Sequence, residues 1–402
     1  MDLEDQYAAH TYHPIPVVFD TAKGAEVWDP EGKRYLDFLS AYSAVNQGHC
    51  HPKIVQTLTD QSHKLTLSSR AFFNSVFPKY AKFITELFGY HKVLPMNSGA
   101  EAVETALKTA RRWGYTKKGI PDEQALIVSC ENNFHGRTIG IISTSTDDTS
   151  KANFGPYLPG YRIIPYNDLS ALEKVMKEEG KRIAGFLVEP IQGEAGIVIP
   201  DEGYIKKAYE ICKAHNVLFM ADEIQTGLCR TGKMLCTNWD DIKPDILILG
   251  KALSGGLLPS SCILADEHIM SVLTVGSHGS TYGGNPLASA IGISALEVLI
   301  EEDLAGNSLR QGEKLLGALQ ECKKKYSFVQ AVRGRGLMAA IEMDPKYTKS
   351  AWDLCMQFKE RGLLAKPTHD NIIRLAPPLV INDQQLQESI SIINNSLQSI
   401  AK

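Results

Sequence analysis

Val217-Leu218-Phe219-Met220-Ala221-Asp222-Glu223 and Asp245-Ile246-Leu247-Ile248-Leu249-Gly250 decide the fold. Each stretch holds an uninterrupted apolar run, as strands covered on both faces of a sheet do. An amphipathic pattern of helical period, at residues 204–215, precedes the first stretch. Strands that alternate with helices in this way predict a mostly parallel sheet flanked by helices. The region therefore predicts an α/β fold.

The same alternation extends outward over about residues 90–265. A second helical pattern spans residues 100–113, and the remaining strand candidates are residues 92–97, 125–129, 185–190 and 261–266. A chain of 402 residues is too long for one simple core. We therefore predict a large domain over residues 46–290.

The two ends of the chain have a different pattern. Residues 25–28 and 34–38 predict a hairpin, and a glycine-rich strand is predicted at 334–343. Two long helical patterns follow residue 290, and a final helix is predicted at 383–399. We expect the N-terminal segment 1–45 and the C-terminal segment 291–402 to pack together as a smaller α+β domain.

Composition excludes several classes of protein. The formal net charge of −4 gives no basic surface for nucleic acid. No apolar run is long enough for a membrane span, and the acidic start Met1–Asp5 resembles no secretory or mitochondrial leader. The sequence thus predicts a cytoplasmic protein or a trimmed chain.

Eight scattered cysteines predict reduced thiols, and His49 and His51 lie in a turn pattern that predicts no metal site.

Polar residues follow the predicted strands, where ligands of open parallel sheets bind. Ser98 and Glu101 form a capping-box pattern at the start of a helix, and a helix N-terminus attracts anions such as phosphate. Asp222 ends one apolar strand, and Lys251 follows another. Each of these features also has an ordinary explanation when it is taken alone. The capping box could be a simple helix cap, Asp222 could cap the segment that follows it, and Lys251 could be a solvated lysine in a loop.

Together the three features fit one cofactor, pyridoxal 5′-phosphate (PLP). Its phosphate needs an anion site, its pyridine nitrogen a carboxylate, and its aldehyde a lysine amine. Desolvation at a strand end would lower the pKa of the Lys251 amine and make it nucleophilic. The combination therefore predicts a PLP enzyme.

At these residues the chain resembles the class III (subgroup II) aminotransferases of PLP fold type I. The resemblance covers nearly the whole chain, and the segments that carry it are residues 44–52 (AVNQGHCHP), 133–138 (NFHGRT), 189–196 (EPIQGEAG), 221–232, 250–256 (GKALSGG), 278–286 (HGSTYGGNP) and 362–381. It implies a large domain with a mostly parallel sheet and a smaller α+β domain built from both termini.

The resemblance also implies the cofactor contacts. Lys251 would carry PLP as a Schiff base and move the proton, and Asp222 would pair with the ring nitrogen. The other implied contacts are Gln225 near the ring hydroxyl, Phe134 on the ring face, and Ser98, Gly99 and Ala100 at the phosphate. Ser280 and Thr281 would reach the phosphate of a neighbouring subunit, which implies a homodimer with shared active sites.

Two arginines narrow the substrates. Arg137 and Arg374 would each clamp a carboxylate, because a guanidinium binds one bidentately. Glu194 would cover Arg374 for a substrate with one carboxylate and release it for a dicarboxylate. Tyr12 and Tyr42 match tyrosines that hold the α-carboxylate and α-amino end of ornithine in this family.

The implied reaction transfers the δ-amino group of L-ornithine to 2-oxoglutarate. N-acetylornithine or another ω-amino acid is the alternative donor, and Ala100 and His135 resemble the enzymes that use N-acetylornithine. A PLP-binding scaffold without turnover is the alternative from another class, although the lysine, the acid and both arginines oppose it. An aminomutase or decarboxylase fits the two arginine clamps less well.

Overall fold

The computed structural model describes residues 1–401. Its strands are β1 (Thr21–Lys23), β2 (Glu26–Trp28), β3 (Arg34–Asp37), β4 (Lys92–Met96), β5 (Leu126–Cys130), β6 (Tyr161–Ile164), β7 (Ile183–Val188), β8 (Leu218–Asp222), β9 (Ile246–Leu249), β10 (Ser261–Ala265), β11 (Val329–Arg335), β12 (Met338–Met343), β13 (Leu363–Leu364), β14 (Lys366–Thr368) and β15 (Ile372–Leu375).

The helices vary from single turns to 22 residues. They are α1 (Asp2–Tyr7), α2 (Ser40–Ser43), α3 (Pro52–Ser62), α4 (Phe77–Phe88), α5 (Gly99–Trp113), α6 (Ile139–Ile142), α7 (Asp148–Lys151), α8 (Leu169–Glu179), α9 (Tyr204–Ala214), α10 (Glu267–Met270), α11 (Pro286–Glu301), α12 (Leu304–Lys325), α13 (Ala351–Glu360) and α14 (Asp383–Ile400). Within residues 1–401 no helix combines the length and the apolarity that a bilayer crossing requires.

A seven-stranded sheet forms the centre, in the order β4-β10-β9-β8-β7-β5-β6. The strands from β9 to β6 are parallel to their neighbours, whereas β10 is antiparallel to both β9 and β4. Every residue of β5, β7, β8, β9 and β10 is buried, as their continuous apolar runs indicate. The predicted α/β architecture is confirmed, and the carboxyl ends of β8 and β9 lie side by side.

One strand of this sheet was not predicted from the sequence. Strand β6 (Tyr161–Ile164) is an edge strand that pairs with β5 alone. Its central Arg162 extends to Glu179 on α8, with Nε 2.5 Å from Oε1. A four-residue edge strand that carries an arginine has no continuous apolar run, so the pattern that identified its neighbours is missing.

Strands from both ends of the chain share a small sheet, in the order β1-β2-β3-β13. The predicted hairpin is present as β2 and β3, and β13 adds to it with Leu363 opposite Leu36. A further sheet has the order β11-β12-β15-β14. The N-terminal and C-terminal segments are thus hydrogen-bonded to each other, as expected.

The glycine-rich segment 334–343 is a hairpin rather than the single predicted strand. Arg335 pairs with Met338, so that Gly336 and Leu337 form the turn. Gly336 has φ +57°, and a Cβ there would lie 2.6 Å from the carbonyl carbon of Thr231. The residue must therefore be glycine for both conformational and steric reasons.

Candidate active site

The carboxyl ends of β8 and β9 and the start of α5 surround two neighbouring cavities. Asp222 and Lys251 both line a cavity of about 210 Å³, together with Glu194, Gln225 and Phe134 among others. Lys251 also lines a larger cavity of about 440 Å³, whose wall includes Ser98 and Gly99. The lysine and the aspartate that the sequence analysis assigned to one cofactor therefore face the same space.

Asp222 is held at the bottom of the smaller cavity. Its Oδ2 lies 2.7 Å from Nδ1 of His135, and its Oδ1 accepts a hydrogen bond from the backbone N–H of Ile224 at 3.1 Å. Both side chains are buried. Burial disfavours a charged imidazole, but the hydrogen bond and charge of Asp222 outweigh it and raise the pKa of His135. In the sequence alone, His135 stands out only as a departure from the family pattern.

Glu189 is a second buried carboxylate beside this pair, and the sequence analysis missed it. Backbone N–H groups of Phe134 and Gly193 donate to its two oxygens, at 2.8 and 3.1 Å. Burial raises its pKa to about 7, the charge of Asp222 adds to the shift, and His135 opposes it. Since Glu189 directly follows β7, the strand-end argument that identified Asp222 could have identified it.

Lys251 begins a short 3₁₀ turn, Lys251–Ser254, directly after β9. Its φ of +46° is unusual for a residue other than glycine and is of the kind that accumulates at functional sites. Burial lowers the pKa of its amine, against the charges of Glu194, Asp222 and Glu189. No carboxylate of residues 1–401 lies within 4 Å of Nζ, so the amine is available as a nucleophile.

The start of α5 has the predicted capping box. The Glu101 N–H donates to Ser98 Oγ at 3.2 Å, and the Ser98 N–H donates to Glu101 Oε2 at 2.8 Å. The hydroxyl of Ser261 on β10 fixes the cap by donating to the Ser98 carbonyl at 2.6 Å. The remaining N–H groups of the first turn, which follow at Gly99 and Ala100, point out of the helix end and suit an anion.

Gln225 supplies a further observation that fits a polar ligand. Its Nε2 donates to Glu194 Oε1 at 3.3 Å, whereas its Oε1 is buried without a hydrogen-bond partner among the described residues. An unpaired buried acceptor is costly unless a ligand pairs with it. An anion site, a held carboxylate, a free amine and an unpaired acceptor around one space match the functional groups of PLP.

Glu194 and Arg374 form a short ion pair at the side of the cavity. Arg374 Nη1 lies 2.5 Å from Glu194 Oε1, and the guanidinium carbon lies 4.9 Å from the ring centre of Tyr42. Burial opposes ionisation of Glu194, but the charge and hydrogen bond of Arg374 lower its pKa. The arginine is only 5% exposed. A carboxylate substrate could therefore reach Arg374 only by displacing Glu194.

Tyr42 lies in α2, which is a left-handed turn. Its four residues have φ between +45° and +69°, a conformation that costs roughly 1–2 kcal/mol per residue. Asp37 stabilises the turn by accepting the backbone N–H groups of Leu39 and Ser40, at 2.8 and 2.9 Å. Ser40 also donates its hydroxyl to the carbonyl of Ala376 at 2.6 Å, two residues beyond Arg374.

Arg137 and Tyr12 are brought together at the mouth of the site. The Arg137 guanidinium lies 5.9 Å from the ring centre of Tyr12 and 5.7 Å from that of Phe134. Arg137 is exposed, and Tyr12 is 67% exposed. Lys366, on β14, was not selected from the sequence. Its amine lies 5.8 Å from the ring centre of Tyr12.

Ser280 and Thr281 line neither cavity of this chain. Ser280 Oγ accepts hydrogen bonds from Asn97 Nδ2 and from the Gly283 N–H, both at 2.9 Å. Thr281 is exposed. Their assignment to the phosphate site of a neighbouring subunit remains a prediction.

Comparisons with known proteins agree on one family. The family model described as class-III aminotransferase matches residues 7–397. The ornithine aminotransferase car2 of Schizosaccharomyces pombe is 57% identical, over 99% of this chain and 93% of that protein. A relative from Arabidopsis thaliana, named as a mitochondrial ornithine aminotransferase, is 54% identical over 99% of this chain and 84% of its own length.

Solved structures show the same similarity in three dimensions. An ornithine aminotransferase from Toxoplasma gondii with partial PLP occupancy at the active site has a TM-score of 0.98 and 45% identity, covering 99% of this chain and 93% of that one. An acetylornithine aminotransferase from Elizabethkingia anophelis has a TM-score of 0.91 and 51% identity, covering 99% and 98% of the two chains.

Proposed function

Because this chain belongs to the class-III aminotransferase family, we propose that it transfers the δ-amino group of L-ornithine to 2-oxoglutarate. The products are L-glutamate and glutamate 5-semialdehyde, which cyclises to 1-pyrroline-5-carboxylate. The chain is a PLP-dependent aminotransferase with PLP fold type I. The relatives named as ornithine aminotransferases support the choice of donor. In the site itself, the ion pair between Glu194 and Arg374 carries the proposal.

The ion pair matters because the two substrates differ in charge. Ornithine has one carboxylate, which Arg137 and Tyr12 would hold, and its distal amine requires no second clamp. 2-Oxoglutarate has two carboxylates, so it needs Arg374 as well as Arg137. A glutamate that covers one of two arginine clamps lets a single site accept both substrates in turn.

The cofactor would be held by the residues that surround the two cavities. Lys251 would bind it covalently, and the first turn of α5, from Ser98 to Ala100, would bind its phosphate. Asp222, fixed by His135, would keep a proton on the ring nitrogen, and Gln225 would pair with the ring hydroxyl. Phe134 would stack on the ring. When bound, PLP withdraws electrons from the carbon that carries the reacting amine.

Lys251 performs the proton movement in this mechanism. Its amine, whose pKa is lowered by burial, becomes free when the substrate amine takes its place on the cofactor. It would then remove a proton from the amine-bearing carbon of the substrate and return it to the cofactor carbon that had carried the aldehyde. Tyr42 and Arg137 orient the α-amino end of ornithine away from that lysine.

A substrate panel tests the donor. Holoenzyme with 2-oxoglutarate should use ornithine in preference to N-acetylornithine, 4-aminobutyrate and lysine. Formation of L-glutamate measures turnover of every donor, and 1-pyrroline-5-carboxylate is the product expected from ornithine alone. The panel also tests the second candidate, N-acetylornithine, which Ala100 and His135 and the likeness to the Elizabethkingia anophelis enzyme favour. A preference for N-acetylornithine would overturn the proposed donor while leaving the reaction class in place.

Lys251→Ala tests the catalytic assignment. We expect turnover to fall by a factor of about 10²–10⁴ or more, and the visible absorbance of the lysine-bound cofactor to disappear. Lys346→Met, at an exposed position, is the matched control and should keep both. Ordinary steady-state rates in Lys251→Ala would refute the role of this lysine. Wild-type protein whose cofactor absorbance does not respond to ornithine would instead indicate a PLP-binding scaffold.

We further propose that the chain acts as a homodimer with shared active sites, in the cytoplasm, in arginine catabolism and proline biosynthesis. Ser280, which is half-buried, and Thr281, which is exposed, line neither cavity of one chain, and this supports the dimer. Fluorescence microscopy of a C-terminally tagged chain tests the location, because relatives such as the Arabidopsis thaliana protein are named mitochondrial.

A further inference from the structure

Two positive side chains lie opposite each other beside the substrate site. Strands β14 and β15 are antiparallel, and Lys366 is the register partner of Arg374. Residues directly opposite in such a pair project from the same face, and like charges there repel each other. Only one carboxylate, that of Glu194, compensates them in this structure, and it pairs with Arg374.

Lys366 has no acidic partner of its own. It is half-buried, and no carboxylate in residues 1–401 lies within 4 Å of its Nζ. Burial and the charge of Arg374 lower the pKa of its amine, and the charge of Glu194 opposes them. The amine therefore lies within the electrostatic reach of both members of the ion pair without bonding to either.

Glu194 is tethered to the strand that carries Lys366. The Thr368 hydroxyl donates to the Glu194 carbonyl at 3.0 Å, and Thr368 is two residues from Lys366 on β14. The backbone of Glu194 is thus fixed, whereas its side chain is 28% exposed and is held only by Arg374 and Gln225. A rotation of this side chain would change its partner without moving the strands.

Displacement of Glu194 creates an electrostatic problem. When the second carboxylate of a dicarboxylate binds Arg374, the Glu194 carboxylate loses its partner in a largely buried site. An unpaired buried carboxylate costs several kcal/mol, which would oppose binding of the dicarboxylate. A second cation within reach of Glu194 removes most of that cost.

We propose that Lys366 is this second cation, and that the Glu194 carboxylate transfers its ion pair from Arg374 to Lys366 when a dicarboxylate substrate binds. With ornithine, Glu194 neutralises Arg374 and Lys366 is unpaired. With 2-oxoglutarate, Arg374 holds the substrate and Lys366 holds Glu194. The inference rests on the proposed exchange between a monocarboxylate and a dicarboxylate, and it makes Lys366 a positioning residue that acts through Glu194.

Lys366→Met tests the proposal in the two half-reactions separately. Loss of the charge-assisted pair should raise the KM for 2-oxoglutarate about tenfold or more. The single-turnover rate with ornithine should stay within about twofold, because Glu194 keeps Arg374 in that half-reaction. Lys366→Arg should largely restore the KM, and the exposed Lys346→Met is the control. An unchanged KM for 2-oxoglutarate in Lys366→Met would overturn the proposal.

A double-mutant cycle separates this role from direct contact with the substrate. In a Glu194→Ala background Lys366 has no Glu194 carboxylate to pair with, so Lys366→Met should have no further effect on 2-oxoglutarate binding. If Lys366 instead bound the substrate carboxylate itself, its loss would still weaken binding in that background, which would overturn the proposal.

Calorimetry with glutarate, an unreactive dicarboxylate, gives a readout independent of the amino donor. Glutarate should bind the Lys366→Met holoenzyme about tenfold more weakly than the wild type. This result together with no turnover of ornithine would refute the proposed donor but support the ion-pair transfer. Equal glutarate affinity in the two proteins, with normal ornithine turnover, would refute the transfer alone.

Discussion

Glu189, His135 and Asp222 form a chain of interacting charges beneath the cofactor site. Asp222 is 2.7 Å from His135, and the charges of both act on Glu189. Against the effect of burial, the hydrogen bond and charge of Asp222 raise the pKa of His135, and the charge of Glu189 adds to that shift. The proposed role of Asp222 at the cofactor would therefore depend on neighbours that the cofactor does not touch.

The raised pKa of Glu189 predicts a pH dependence of stability. Its value of about 7 in the folded protein exceeds the ordinary 4.5, so the folded state retains a proton that the unfolded state has lost. The stabilisation is complete below pH 4.5 and is lost as the pH rises to about 7. Glu189→Gln removes this titration, so the difference in thermal midpoint, wild type minus variant, should fall over that range and then level off.

Thermal unfolding at a series of pH values measures this difference. The exposed Glu173→Gln on α8 is the control, and its midpoint should follow the wild type at every pH. If the thermal midpoint of the wild type minus that of Glu189→Gln instead increases between pH 5 and 7, the raised pKa of Glu189 is contradicted. A carboxyl group whose charged form is stabilised by folding would give such an increase.

Lys251, Asp222 and the α5 cap could be selected from the sequence because each lies at the end of an apolar strand or within two residues of it. The partnership of Asp222 with His135 could not be, since the two are 87 positions apart and only the folded sheet brings them together. Lys366 was missed for a similar reason. Its significance comes from the strand pairing that sets it opposite Arg374, and nothing in the local sequence shows that pairing.

At the scale of elements, continuous apolar runs predicted the buried strands and amphipathic periods predicted α5 and α9. Two kinds of element gave no such signal. The edge strand β6 is too short and too polar, and the left-handed turn α2 consists of Ser40-Ala41-Tyr42-Ser43, none of them glycine. That turn depends on two hydrogen bonds that Ser40 donates, one from its backbone N–H to Asp37 and one from its hydroxyl to the distant carbonyl of Ala376.

Arg230 connects three of the segments that carry site residues. Its fully buried guanidinium donates to the carbonyls of Leu337 and Pro377 at 2.8 and 2.6 Å, and to Asn46 Oδ1 at 2.6 Å. Burial lowers its pKa to about 9. Since Pro377 lies three residues after Arg374, and Asn46 four after Tyr42, the guanidinium holds the flanks of two substrate elements together.

Arg230→Met should therefore destabilise the protein by about 3 kcal/mol or more, because three acceptors lose their donor in a buried site. Arg230→Lys should recover little, since a single amine cannot reproduce the planar fork. Urea unfolding monitored by fluorescence measures the change. Arg310→Met removes an exposed guanidinium bonded to Asp303 and should shift the midpoint little. Equal midpoints for the Arg230 and Arg310 variants would show that the cluster contributes nothing.

At the scale of the whole molecule, the site is assembled from distant parts of the chain. Tyr12 and Tyr42 come from the N-terminal segment, Arg374 and Lys366 from the C-terminal one, and Lys251 from the central sheet. The pairing of β3 with β13 joins the N-terminal and C-terminal segments in one small sheet. Composition and periodicity predicted such a shared unit, whereas the contacts across it depend on packing.

A shared site in a dimer makes a prediction that mixing experiments can test. Suppose that Ser280 and Thr281 complete the phosphate site of the partner, whose Lys251 carries the cofactor. A hybrid dimer of one Lys251→Ala chain and one Ser280→Ala/Thr281→Ala chain then has one site with both defects and one site with neither. Random pairing makes half of the dimers hybrid, so about a quarter of wild-type activity should return at limiting cofactor.

Lys251→Ala mixed with Asp222→Ala is the matched control. Both residues line one cavity of the same chain, so each site of that hybrid keeps one defect and no activity should return. The two mixtures differ only in whether the second residue acts in its own chain or in the partner. Equal, low activity in both mixtures, from chains shown to exchange by sedimentation, would place Ser280 and Thr281 in the same site as their own Lys251 and contradict sharing. Recovery in the first mixture alone requires a site built from two chains, because only such a site collects both defects in one half of the hybrid and leaves the other half intact.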